Sequence, residues 1–170
     1  MMEHDNTMAR RRTVKLKVPE RFSPQVNVIC VLRNAKTNKI EGIYKSHNVV
    51  CNLGKNAVAA RLNNETTYTT IINEGAVGTG TATPLATDTQ LGTENTRFTL
   101  TSNYRSRTNN VTTLEFYFSP SQANTHLTEF GAFIDGTGAA NSGQMFNHAT
   151  IDVTKVSTQS LSVFLEITVS

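Results

Sequence analysis

Four histidines, two cysteines and thirteen carboxylates are the side chains of this 170-residue chain able to ligate a metal or move a proton. His4, His47, His126 and His148 are scattered. None pairs with Cys, Asp or Glu at a ligand spacing such as i, i+4 on a helix. His126 and Glu129 are close in sequence, but a strand turns such residues to opposite faces. His148 is expected to make a structural hydrogen bond. Glycoside cleavage would need two acids about 5–10 Å apart. Asp88 with Glu94, and Glu115 with Glu129, show no sign of converging in that way. Neither Cys30 nor Cys51 sits in a Gly-flanked nucleophile elbow. No enzyme, metal or cofactor is expected.

The Gly78-Thr79-Gly80 run invites a phosphate-cradle reading. A dinucleotide fingerprint needs a strand before it and a helix opening straight after. Here a Thr-rich stretch and Pro84 follow, with no Lys-Ser/Thr pair. The run reads instead as a turn opening an extended crossing. It belongs to a long Gly/Thr loop, residues 75–97, carrying spaced apolar anchors at Val77, Leu85 and Leu91. Loops this long inside a compact domain are uncommon and are usually functional or disordered. The anchors favour a loop laid down on a surface, offering Thr79, Thr81, Pro84, Leu85 and Asp88 to a neighbour.

Around the loop the chain reads as strands. Apolar residues run from Val26 to Leu32, and a turn at residues 35–38 leads to a strand over residues 40–50, making a hairpin. Leu53, Ala57, Val58 and Leu62 recur at helical spacing, with Asn52 as the expected N-cap and Asn63-Asn64 as the stop. This short helix is expected to lie over a sheet edge. Strands are expected at 68–74, 97–105, 111–118, 127–134, 144–153 and 160–169. In the last, Leu161, Val163, Leu165, Ile167 and Val169 alternate with mostly polar partners. Asn109-Asn110 and residues 135–138 supply hairpin turns. The expected fold is all-β, an antiparallel β-sandwich (residues 25–170) with one short α-helix and an extended N-terminal arm (residues 1–24).

Charge is concentrated in the arm. Residues 1–24 hold six Lys/Arg against three acids, whereas residues 25–170 hold ten of each sign. A neutral body does not spread cations over a folded face as a nucleic-acid binder would. Arg10, Arg11, Arg12, Lys15, Lys17 and Arg21 allow three readings: phosphate contact, a solvated tail, or docking on an acidic groove of a neighbouring subunit. The alternation of Val14, Leu16 and Val18 favours docking, by adding a strand to another sheet. Cys30 and Cys51 lie in apolar surroundings without a secretory context, which favours free thiols over a disulfide. No apolar run approaches the ~18 residues of a membrane span, so a soluble protein without membrane contact is expected.

Several ordered pieces resemble a family of tailed-bacteriophage virion proteins of tail, baseplate or fibre assemblies. They are His47-Asn48-Val49-Val50, the helix at 54–62, Ile71-Ile72 leading to Gly78-Thr79-Gly80, then Pro84, Asp88-Thr89, Leu91 and Arg97. Glu129-Phe130-Gly131-Ala132-Phe133, Met145-Phe146-Asn147-His148, Lys155 and the alternating final strand complete the set. Ala132-Phe133 stands where the family typically has Leu-Phe, and the arm and first hairpin fall outside the pattern. The resemblance implies a structural, non-enzymatic virion component in many symmetric copies, made in the host bacterial cytoplasm. Its partners would be other virion proteins and copies of itself, as a homo-oligomer. Capsid decoration or cementing, and host-receptor or glycan binding, are the alternatives. Against glycan binding, the chain has no Trp, and Tyr68, Tyr104 and Tyr117 fall in expected strands.

Overall fold

The computed structural model describes residues 24–169, so the arm residues Arg10, Arg11, Arg12, Lys15, Lys17 and Arg21 lie outside the described part. The strands are β1 (Gln25–Asn34), β2 (Ile40–Val50), β3 (Ile72–Gly78), β4 (Glu94–Thr99), β5 (Arg105–Thr108), β6 (Val111–Phe118), β7 (His126–Ile134), β8 (Gln144–Thr154) and β9 (Gln159–Thr168). One helix, α1 (Asn52–Leu62), and a single 3-10 turn at Ser102–Tyr104 complete the elements. All nine strands join one antiparallel, curled sheet in the order β4-β3-β7-β8-β2-β1-β9-β6-β5.

The curl is made at β2. Residues 40–46 pair with β1, while residues 47–50 pair with β8, so this strand changes layers midway. One layer is thus β5-β6-β9-β1 and the other β8-β7-β3-β4. Period-2 alternation fills the space between them. Leu114, Phe116 and Phe118 of β6 and Leu161, Val163 and Leu165 of β9 meet Leu127 and Phe130 of β7 and Ile151 and Val153 of β8. The Phe116 and Phe130 rings touch across the layers at 5.2 Å between centroids. Each fully buried side chain of this size contributes about 2–3 kcal/mol by leaving water. Gly75 faces the same space, where a Cβ would collide with the Phe116 ring.

Several boundaries differ from the expectations. The strand expected at 68–74 runs instead from Ile72 to Gly78, directly into the glycine stretch. Thr70 takes a positive φ of 62°, and Asp135 ties down the Thr69 N–H at 2.9 Å, so residues 68–71 leave the sheet. The single strand expected at 97–105 is two short strands on opposite edges. Buried Leu100 and the 3-10 turn carry the chain between them, with Phe98 and Tyr104 stacked edge-on at 5.1 Å.

The helix begins one residue earlier than expected. Cys51, not Asn52, is its N-cap, and no side chain caps it. It packs on β8 within the sheet rather than over an edge. Gly54 permits this contact, since a Cβ there would lie 2.8 Å from the Phe146 Cα. Among the described residues no helix is long and apolar enough to cross a membrane.

Candidate functional site

The outer face of the β8-β7-β3-β4 layer holds the ionisable residues of greatest interest. Glu129 sits mid-strand in β7 and is 2% exposed, so its carboxylate is dry. A buried carboxylate needs donors on its lone pairs. The 79–93 loop supplies them from its backbone. Gly80 N and Thr93 N donate to Oε1 at 2.8 Å each, and Gly92 N donates to Oε2 at 2.9 Å. Thr128 Oγ1 adds a bond to the Gly80 carbonyl at 2.7 Å. The loop is therefore an anion cradle whose anion is the protein's own side chain. Gly80 is required for the approach, because a Cβ there would fall 2.5 Å from Glu129 Oε1.

His148 of β8 stands beside Glu129. Its Nδ1 lies 2.7 Å from Asp88 Oδ2 and its Nε2 lies 3.2 Å from Glu129 Oε2. Asp88 also accepts from Leu85 N at 2.8 Å, which closes a turn in the middle of the loop. Beneath the loop, Leu91 joins Ala76, Phe133, Met145 and Cys51 in a small second core. Asn52 N donates to the Ala86 carbonyl at 2.7 Å, tying the loop to the start of α1.

The same device recurs in two other loops. Arg97 and Glu94 of β4 form a pair at 2.7 Å with both side chains 5% exposed. Arg97 donates to the Ser142 carbonyl at 3.1 Å, and Glu94 accepts from Asn141 N at 3.0 Å, so the pair grips the loop between β7 and β8. Burial pushes the Glu94 carboxyl pKa up, but the Arg97 and Asn141 hydrogen bonds and the Arg97 charge outweigh it and hold it low. Arg97 also lies over the Phe133 ring at 4.3 Å. Lys155, 1% exposed, donates to the Gln122 carbonyl at 2.7 Å and to Asn124 Oδ1 at 2.8 Å, fastening the loop between β6 and β7. Burial draws the Lys155 pKa down.

The residues singled out in the sequence fall into distinct places. In the 79–93 loop, Thr81 and Leu85 are exposed, Thr79 is half-buried, Pro84 is buried, and Asp88 is engaged by His148. Leu85 is 57% exposed, so the buried anchors are Pro84 and Leu91, while Val77 belongs to β3. His148 makes structural hydrogen bonds, as expected. Asp88 converges with Glu129 through His148, whereas Glu94 pairs with Arg97 and Glu115 accepts from Ser162. His126 is exposed and pairs with Asp152 at 2.8 Å. Cys30 and Cys51 are both free and fully buried. Burial pushes each thiol pKa up to about 12, with Asp88 adding to the effect at Cys51.

Chemically, the Asp88–His148–Glu129 array resembles a proton relay that ends in backbone amides. Among the described residues no hydroxyl or thiol bonds to His148, and no cluster of three or more His, Cys, Asp or Glu side chains is placed to hold a metal. The sequence signal for this site was Glu129 itself, a carboxylate inside the apolar run Leu127–Ile134, where burial demands partners. The chain matches no protein-family model, no curated protein and no solved structure.

Proposed function

We propose that this protein is a structural component of a tailed-bacteriophage virion, in a tail, collar, baseplate or fibre assembly, acting through subunit–subunit contacts. One observation carries the reading. The pieces that resemble the virion family include Gly78, Gly80, Asp88, Arg97, Glu129, His148 and Lys155, and these residues fasten the surface loops. The buried ionisable groups are thereby committed to holding a surface in shape. A building block needs this property, because a loop already fixed in its bound form loses little entropy when a neighbour docks.

On this reading the 79–93 loop is a contact platform presenting Thr81 and Leu85, and the basic residues Arg10, Arg11, Arg12, Lys15, Lys17 and Arg21 reach an acidic surface on another polypeptide. The same assembly would cover open strand edges. Residues 40–46 of β2 pair on one side only among the described residues, and Ile40, Ile43 and Tyr44 there are exposed. The test is mass spectrometry of purified virions from cells producing the phage, together with light scattering of the full chain. The expected result is stoichiometric presence in particles and self-association in solution. Absence from particles would defeat the proposal.

A further inference from the structure

The sheet forks at β2. Residues 47–50 pair with β8, but residues 40–46 keep β1 on one side and no strand on the other among the described residues. Residues 151–154 of β8 are equally bare toward β2, and a hollow of about 420 Å³ lies in the fork, lined by residues 44–47 and 150–152. Three of the eight exposed large apolar residues fall on this stretch: Ile40 at 44%, Ile43 at 59% and Tyr44 at 37%. None falls on β4 or β5, the outer edges of the sheet. An exposed apolar edge is a template for a further strand.

The backbone says how that strand would attach. Cys51 N donates to the Phe146 carbonyl, so Cys51 turns its backbone groups toward β8. Residues of an antiparallel ladder alternate between bonding one side and the other. No register shift interrupts the pairing from Gly42 to Val50. Counted back in twos, Lys45 and Ile43 therefore offer their N–H and C=O to the open side.

The stretch Ile40-Glu41-Gly42-Ile43-Tyr44-Lys45-Ser46 is also complementary to itself when laid antiparallel about Ile43. Ile43 then meets the second copy's Ile43, with the backbone groups of both aimed at each other. Glu41 of each copy stands opposite Lys45 of the other, twice. A lysine on an edge strand ordinarily blocks pairing, but this register turns it into a cross-strand ion pair. Lys45 meets no carboxylate of its own chain among the described residues. Gln159 and Asn34 donate to the Glu41 carboxylate at 2.6 and 2.9 Å and hold it at the edge. The β5 edge lacks this property, since antiparallel self-pairing about Ser106 would set Arg105 against Arg107.

We propose that residues 40–46 pair with the same residues of a second copy of this chain, antiparallel about a two-fold axis at Ile43, so that two sheets join through β2. The inference rests on the assembly reading for self-association, and names its contact and register. The two fail separately. A chain found in particles whose edge does not pair with a second copy keeps the virion reading and loses this one.

Ile43→Cys in the full-length chain places two thiols at the axis, where paired strands hold Cα atoms about 5.5 Å apart. Lys45→Cys leaves its thiols about four residues, or roughly 13 Å, apart along the strands. Cys30 and Cys51 are fully buried and stay out of the reaction. Under mild oxidation the Ile43→Cys chain should form a covalent dimer at least about ten-fold faster than the Lys45→Cys chain, whose geometry forbids the bond. Adding Lys45→Glu to Ile43→Cys should slow the cross-link, and adding Glu41→Lys should slow it likewise. Mixing those two double variants should restore it, because each then meets its opposite charge. Equal cross-linking at positions 43 and 45, or no recovery on mixing, overturns the proposal. An Ile43→Cys chain that stays monomeric also overturns it, and leaves the edge to a different occupant.

Discussion

Removing the Glu129 carboxylate should free the 79–93 loop without unfolding the sandwich. In Glu129→Ala, the amides of Gly80, Gly92 and Thr93 lose their acceptor, and His148 loses one of two carboxylates. Hydrogen bonds to a charged group are worth about 1.5–3 kcal/mol each, so three unmade amide bonds would cost about 4–9 kcal/mol if the loop stayed dry. A loop that lifts lets water reach those amides, so the realised loss is the smaller cost of opening. A loss of about 3 kcal/mol raises the open population by roughly 100-fold, since about 1.4 kcal/mol is a factor of ten.

Cysteine labelling reads this directly. Cys51 lies beneath the loop with its Sγ 4.0 Å from the Leu85 carbonyl, packed with Leu91, Phe133 and Met145. Cys30 lies in the main core, away from the loop. In single-cysteine backgrounds, Glu129→Ala should accelerate thiol labelling at Cys51 by about 100-fold while Cys30 keeps its rate. Glu129→Gln should fall between, because its remaining oxygen still serves Gly80 and Thr93 but its amide opposes the Gly92 N–H. Equal acceleration at both thiols would mean that the loop does not open as a separate unit. An unchanged Cys51 rate would mean that Glu129 does not hold it. Either result refutes the reasoning.

Arg97→Ala leaves the Glu94 carboxylate buried without its cation, a loss of about 3–5 kcal/mol measurable by urea titration. The folded Glu94 pKa lies below its ordinary value, so the stability from this pair is present above pH ~4.3 and lost as pH falls; Arg97→Ala should therefore raise the midpoint of acid unfolding. The two thiols work in the opposite direction. With folded pKa values of about 12 against 9.0, their neutral forms favour the folded state up to pH 9, and stability falls as pH rises from there toward 12. Replacing both with Ala should flatten the alkaline limb of a pH–stability profile. Lys155→Met keeps the apolar stem but leaves the Gln122 carbonyl and Asn124 Oδ1 without their donor, which should cost about 2–4 kcal/mol and speed amide exchange across residues 119–125.

Much of the architecture was legible because it rests on local alternation. The β6 bounds match the reading at both ends, and β9 and β8 agree within one residue, since their inward residues repeat every second position. The misreadings come from long-range causes. Strand β3 continues through Gly75 because Phe116, 41 positions away, needs the space a side chain would fill. The 97–105 run breaks because Leu100 turns inward, a choice set by packing rather than by the propensity of its neighbours. The site was illegible for a similar reason. Asp88, Glu129 and His148 come from a loop and two strands, and their partners are backbone amides, which leave no mark in a side-chain pattern.

The loops also explain why charged residues are buried at all. A Thr-rich loop offers few apolar anchors, and of the 79–93 loop only Pro84 and Leu91 are buried. Hydrophobic contact alone would leave it poorly held. A buried ion reaches several backbone groups at once, but its desolvation costs several kcal/mol unless its lone pairs or protons are matched. Glu129 meets that condition with three amides and His148, and Lys155 meets it with carbonyls. Glu74, 1% exposed, meets it only in part, because Oε1 accepts from Thr99 while Oε2 has no partner among the described residues. The matched ions therefore fasten loops that sequence composition alone would leave loose, and the charge-bearing residues that first suggest chemistry are what give this surface a fixed shape.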